Sequence, residues 1–357
     1  MKKTLSTAAI EQGGISERFV SAVAQPRETP ASFFDRMATA AAPGQCVALE
    51  VFGGQPDAAT LGALRKAFPA ASTPATWVCE ADAAPGRARA AQAWVVSGAP
   101  VQILMRDGMA HGTVFEDEHV RYVRAGGLLP RAETSRRAQT RAVLEDMLPL
   151  LHEAGMDFSH VVRTWFYNDD ILAWYADFNA ARDDFFREQA VGTRVAPAST
   201  GMGGGNPAGR ALTASVLAVR PKSDQTRVCR VDSPLQCPAS DYGSAFSRAV
   251  EIATPSAKRL LVSGTASIAP EGHTLHVDDV QAQIAHTFRV VYAMLDARGM
   301  GWEHVTRAIG YFKPGAATVA REAWEGLFSR IPAIPVTNHV CRDDLLFETE
   351  VDAIAVR

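Results

Sequence analysis

Near the end of the chain, Glu348-Thr349-Glu350-Val351-Asp352 sets three carboxylates at alternating positions. Alternate side chains of a strand share one face, so the three would crowd together. A free glutamic acid has a pKa of about 4.3. Burial or a neighbouring like charge raises that value and turns a carboxyl into a proton donor near neutral pH. The same pattern also suits a half-solvated sheet surface whose acids serve only in cross-strand ion pairs. Shortly before them stands Cys341. A lone cysteine is commonly a small buried hydrophobe that becomes reactive only in an electropositive setting, so Cys341 is read as pocket-lining and not nucleophilic. Its neighbour Arg342 points to the opposite face of a strand.

The run Gly201-Met202-Gly203-Gly204-Gly205-Asn206-Pro207 has backbone N–H groups to offer an anion, but it lacks the Lys-Ser/Thr of a phosphate-binding loop and reads by itself as a hairpin connection. His273, His276, His286 and His339 have no carboxylate partners at metal-ligand spacing, so no metal and no other cofactor is expected. His160 and His304 recur in equivalent places and are read as structural.

These residues need a scaffold, and the chain supplies it by repetition. Gly155-Met156-Asp157-Phe158-Ser159-His160-Val161-Val162-Arg163 matches Gly299-Met300-Gly301-Trp302-Glu303-His304-Val305-Thr306-Arg307 at Gly, Met, an aromatic, His, Val and Arg, all at one constant offset. The same offset pairs two amphipathic runs, 140–152 and 284–296, each with apolar residues at helical spacing. A β-rich run precedes each helix, at Val120–Pro130 and Lys258–Ile268, and another follows, at Val161–Tyr167 and Val305–Phe312. A second helical stretch comes next. A Pro-Ala-Ser-Thr or Pro-Val-Thr turn and a final strand, ending Leu217–Arg220 and Ile354–Arg357, close each copy.

The order expected is β-β-α-β-α-β-β, an α+β unit with helices on one face of a sheet. In the first copy Ala211 and Thr213 are set against Glu348 and Glu350, so the acidic face belongs to the second copy alone. Residues 1–117, with a strand at 47–52, a helix near 58–68 and strand-like runs near 77–79 and 101–105, are read as a third, degenerate unit. The first full repeat is then 118–225 and the second 226–357.

At 357 residues the chain has room for several cores. A net charge of -3 argues against a nucleic-acid binder working through phosphate neutralisation. No apolar run reaches the roughly 18 residues a membrane helix needs, and the N-terminus lacks a signal peptide's apolar core. The five cysteines are scattered and odd in number, which argues against a disulfide scaffold, so a cytoplasmic protein is expected.

Ser263-Gly264-Thr265-Ala266-Ser267 and the closing Glu350–Arg357 segment resemble the Rid (YjgF-like) superfamily. Phe178-Asn179 with Arg182, the Pro197–Gly204 stretch and the Cys341–Glu348 segment are similar to its tandem chorismatase branch. The resemblance implies chorismate-mutase-like units and an internal pseudo-trimer, as a monomer or in a small homo-oligomer.

It also implies an enzyme that cleaves the enolpyruvyl ether of chorismate, or of a related carboxylated metabolite. The products would be pyruvate and a cyclohexadiene or hydroxybenzoate, with Glu348 as general acid. Such a small anionic metabolite needs cationic clamps, and arginine's planar fork suits carboxylates. Arg163, Arg182, Arg248 and Arg342 are the candidates, with Thr200, Gly201, Ala266 and Cys341 as further pocket residues. The alternatives are a Rid-type imine or enamine deaminase and a non-catalytic metabolite-binding protein. Pro335 stands where the deaminases carry a substrate-binding arginine, which lowers the first of these.

Overall fold

The computed structural model describes residues 4–131, 135–189, 195–238, 245–316 and 331–357. They form three sheets built on one plan. The first unit runs β1 (Leu5–Gln12), β2 (Ile15–Val23), α1 (Pro30–Ala41), β3 (Gln45–Gly53), α2 (Ala58–Ala67), β4 (Ala75–Cys79) and β5 (Ala88–Ser97), in the sheet order β1-β2-β5-β3-β4. This is the β-β-α-β-α-β-β order expected of a copy.

The second unit runs β6 (Gln102–Arg106), β7 (Met109–Glu116), β8 (Val120–Leu128), α3 (Arg136–Glu145), α4 (Met147–Glu153), β9 (Val161–Asn168), α5 (Ile171–Glu188), β10 (Ala198–Gly203) and β11 (Leu212–Pro221). The third runs β12 (Arg227–Val231), β13 (Ala249–Ala253), β14 (Ala257–Ala266), α6 (Val280–Asp296), β15 (Val305–Phe312), β16 (Ala333–Thr337) and β17 (Phe347–Val356). Their sheets are ordered β6-β7-β8-β11-β9-β10 and β12-β13-β14-β17-β15-β16, each with one strand more than the first.

Local chemistry explains where the helices start and stop. Thr29 caps α1 by accepting from Ser32 N–H, with Pro30 at the first helical position, where its missing N–H costs nothing. Asp279 caps α6, whose Ile284, Phe288, Val291 and Leu295 bury one stripe at helical spacing. The single helix expected over 140–152 is broken after Glu145. Pro149 is the cause: it has no N–H for the Glu145 carbonyl, and its ring crowds that carbonyl.

Two further expectations change, and a third is not tested. Strands β6 and β7 precede residue 118 yet pair into the second sheet, so the boundary expected at 117/118 falls inside that sheet. The Pro-Ala-Ser-Thr and Pro-Val-Thr segments are not turns, because most of their residues lie in β10 and β16, which pair in parallel with β9 and β15. The helical stretch expected after β15 lies outside the described residues.

In each unit the helices cover one face of the sheet, and a separate apolar cluster fills each helix–sheet space. The opposite faces meet in one core shared by all three units. At its centre Phe52, Tyr167 and Tyr311, one per unit, contact one another with ring centroids 5.8–6.5 Å apart. Such aromatic pairs add about 0.5–1.5 kcal/mol each beyond simple burial. The tyrosine hydroxyls lie 3.1 Å from each other. Phe52, Tyr167 and Tyr311 thus mark equivalent positions about a pseudo-threefold axis.

Candidate active site

The edge strand β10 of the second unit lies along β14 of the third. Ser199 N–H donates to Ser263 Oγ (2.9 Å), and Gly264 N–H donates to Thr200 Oγ1 (3.1 Å). Beside this seam runs β17, in which Glu348 is opposite Ala266 on β14 and Tyr311 on β15. A Cβ on Gly264 would fall 2.0 Å from Glu348 Oε1. The glycine in Ser263-Gly264-Thr265 therefore makes the space that the carboxyl occupies.

Glu348 is only 6% exposed, and its carboxyl forms no hydrogen bond among the described residues. Burial first, and the Glu350 charge second, push its pKa up to about 8 against the pull of Arg163, Arg248 and Arg342. Glu350, two residues on, differs sharply. Trp165 Nε1 and Arg307 Nη2 donate to its Oε1 (2.9 and 2.8 Å), and Arg163 Nη2 donates to its Oε2 (2.9 Å). Burial pushes this carboxyl up as well, but Arg307 and Arg163 outweigh it and hold Glu350 below the usual glutamate range. The charge network continues inward: Arg307 also donates to Glu50, Asp352 and Gln92, and Arg124 donates to Glu50.

The other candidates gather unequally around Glu348. Arg163 is fully buried. Its Nη2 also donates to Thr200 Oγ1 (2.8 Å), whereas its Nε and Nη1 find no partner among the described residues. Arg248 donates from Nε to the Cys237 carbonyl (3.0 Å), and Arg342 from Nη1 to that of Gly272 (2.7 Å). Both bear on the Glu348 carboxyl. Gly201 lies beside Tyr175, whose ring is 3.7 Å from where a Cβ would stand.

Burial, helped by the Glu348 charge, pushes the Cys341 thiol up to about 12, and Tyr175 hydrogen-bonds it. The thiol is therefore held in its neutral form. Arg182 touches this group only indirectly among the described residues, through Phe178, which stacks on Tyr175. Its Nε and Nη2 donate to Asp183 Oδ1, and its guanidinium packs on Phe178 and Phe186. Sequence reasoning missed Tyr175, which carries no local signal.

The strand registers correct one alignment. Tyr311 faces Glu348, and its equivalent Tyr167 faces Thr213; likewise Ile309 faces Glu350 where Trp165 faces Ser215. The first full repeat therefore holds Thr213 and Ser215 at the acidic positions, and the N-terminal unit holds Ala90 and Gln92. The equivalent irregularity stands in both strands, at Leu217/Ala218 and Asp352/Ala353, so β11 and β17 correspond without a gap, and matching the similar Ala-Val-Arg endings placed them two residues out of register. The junction of the first and second units repeats the seam, with Gly127 N–H donating to Thr76 Oγ1, but it contains no carboxyl at these positions. Of the three pseudo-equivalent junctions, the one between the second and third units carries the acid.

Residues 241–357 match the Endoribonuclease L-PSP family model. Among solved structures, chorismatase superposes with a TM-score of 0.67 at 18% identity, covering 96% of this chain and 99% of that one. The YjgF gene product of E. coli (TM-score 0.29, 18% identity, 35% of this chain and 98% of that one) and E. coli TdcF with bound serine (0.29, 18%, 36% and 98%) are also similar. No curated protein sequence matches this chain. The chain therefore shares the fold of chorismatase, and its last unit resembles the Rid (YjgF-like) superfamily.

Proposed function

We propose that this protein hydrolyses the enolpyruvyl ether of chorismate, or of a closely related carboxylated metabolite, at the cleft between its second and third units. The observation that carries the proposal is Glu348, a buried carboxyl without a hydrogen-bond partner among the described residues, raised to about 8 and set among three arginines.

An enol ether reacts when an acid protonates its terminal methylene carbon. The proton comes from the Glu348 carboxyl, and the C=C electrons form the new C–H bond, leaving an oxocarbenium ion. The Glu348 carboxylate left behind stabilises that cation and takes a proton from the water that attacks it. The resulting hemiketal collapses by breaking its C–O bond to the ring, whose oxygen takes up a proton. Pyruvate and the ring alcohol leave, and Glu348 has its proton again.

General acid catalysis of this kind contributes about 10²–10⁴-fold. In this reading Arg248 and Arg342, whose charges bear on Glu348, hold the substrate carboxylates. Arg163 positions Thr200 and keeps Glu350 ionised, and that charge in turn helps keep Glu348 protonated.

The test is incubation of the wild-type protein and Glu348→Gln with chorismate, with pyruvate followed by a coupled assay and the ring product by mass spectrometry. Pyruvate from the wild type and a loss of at least 10²-fold in the variant are expected. Absence of pyruvate from the wild type would overturn the proposal.

A further inference from the structure

The repeated motif closes on Arg163 and Arg307, and Arg124 of β8 joins them around the Trp165 ring, with guanidinium carbons 4.9, 5.6 and 4.3 Å from its centroid. Three cations in a core need counter-charges. Three carboxylates supply them: Arg163 donates to Glu350, Arg307 to Glu350, Asp352 and Glu50, and Arg124 to Glu50, at 2.7–2.9 Å. All six residues are at most 8% exposed.

Glu50 is the member that comes from outside the second and third units. It stands on β3 opposite Gln92, where β9 has Trp165 opposite Ser215 and β15 has Ile309 opposite Glu350. The unit with no acid at the positions of Glu348 and Glu350 thus places one where the other two hold tryptophan and isoleucine. Both Glu50 oxygens are occupied: Oε1 accepts from Arg124 Nη2 (2.7 Å) and Oε2 from Arg307 Nη2 (2.9 Å). The same Arg307 Nη2 donates to Glu350 Oε1, so a single nitrogen links Glu50 to the anion that bears on Glu348.

The charges of this cluster cancel, three against three, when Glu348 is counted as protonated. Burial keeps the Tyr167 and Tyr311 hydroxyls, on which Glu50 and Glu350 both bear, neutral, as it does the Cys341 thiol. Arg163, Arg248 and Arg342 pull Glu348 toward the anion, and Glu350 opposes them. Without Glu50 the cluster would carry one cation in excess, and in a core of low dielectric that charge reaches Glu348. The excess would draw the proton off.

We infer that Glu50 is a positioning residue for the cleft between the other two units: it balances the buried arginines, and Glu348 keeps its proton as a result. The inference rests on the reading of Glu348 as the proton donor.

Two readouts test it. The protonated-carboxyl infrared band that Glu348→Gln abolishes reports the Glu348 proton without substrate, and the pH–rate profile on chorismate reports it in turnover. Glu50→Gln should move both midpoints down by about one pH unit, the order expected of a unit charge in a medium of effective dielectric about 20. Arg124→Met, which removes a cation, should move them up. Glu50→Gln combined with Arg124→Met removes one charge of each sign and should restore the wild-type midpoint. If Glu50→Gln alone does not fold, Arg124→Met and the double variant decide. Gln92→Met takes a neutral partner from Arg307 Nε and should leave the midpoint in place, as a packing effect would not. Unmoved midpoints in the charge variants, shifts of the same sign, or a shift in Gln92→Met would each overturn the inference, whether or not pyruvate forms. Opposite shifts without pyruvate would support the charge balance and overturn the hydrolysis alone.

Discussion

Glu348 and Glu350 project from the same face of β17 into the same buried seam, and only Glu350 is given cations and N–H donors to hold. One carboxyl is thereby fixed as an anion, and its neighbour, left without hydrogen bonds among the described residues, is pushed toward the protonated form. Two acids of identical chemistry are separated by their surroundings into a held anion and a carboxyl that keeps its proton near neutral pH, the pattern expected of acid–base sites.

The acid must be protonated to act, so kcat/KM on chorismate should be level below about pH 7 and fall as pH rises through about 8, the value to which Glu348 is lifted. A pH–rate profile checks this. A rate that rises through that range would assign the proton donor elsewhere.

Stability should carry the same signature. Glu348 is raised to about 8 and Glu80 to about 7, both from an ordinary 4.5 and both chiefly by burial. A carboxyl with a raised folded-state pKa stabilises the fold fully below its unfolded value and loses that contribution as pH climbs through the folded one. Tm should therefore decline between about pH 4.5 and 8. Glu348→Gln and Glu80→Gln should each remove part of the slope, with Glu80→Gln leaving activity in place. Thermal melts across the range measure it.

Glu350→Gln should act on stability before chemistry. It leaves Arg163 and Arg307 facing an uncharged group in a water-poor core, and breaking a buried pair in this way costs about 3–5 kcal/mol. Chemical denaturation reads that loss. A change under about 1 kcal/mol would show that the network is more hydrated than its burial implies.

Gly264→Ala should reduce kcat at least about tenfold, because misplacing a reacting group by about 1 Å costs up to about 10². Its added methyl would take the place of Glu348 Oε1. The melting profile should move far less than in Glu350→Gln, since no buried charge is stranded.

Only one junction has the acid, so a non-hydrolysed enol-ether analogue should bind with one molecule per chain, not three. Titration calorimetry decides it. Binding at two or three equivalent sites would mean that the Thr76–Gly127 seam is also functional.

The repeat was legible because its signal is local: Gly155-Met156 and Gly299-Met300 end the helical segments at the same offset from β9 and β15. The acidic run was legible because alternation on a strand is a two-residue rule. What the sequence concealed depends on contacts between units. The role of Gly264 appears only when Glu348 is folded against it, and Tyr175 reaches Cys341 from another unit. The correspondence of Glu348 with Thr213 appears only from the strand pairing, because the similar Ala-Val-Arg endings of the two copies lie two residues out of structural register. The N-terminal unit was half hidden because β1, β2 and β5 lack a matching motif in the other copies, although β3 and α2 showed clearly.

The central claim is that a carboxyl of this protein protonates the methylene carbon of an enol ether, and the most direct measurement is turnover of chorismate in D₂O with the pyruvate trapped at once by reduction to lactate. One deuterium in the methyl group of the trapped product, formed by the wild type and lost with Glu348→Gln, is the result predicted. Pyruvate released without deuterium, or at an undiminished rate from the variant, would contradict it.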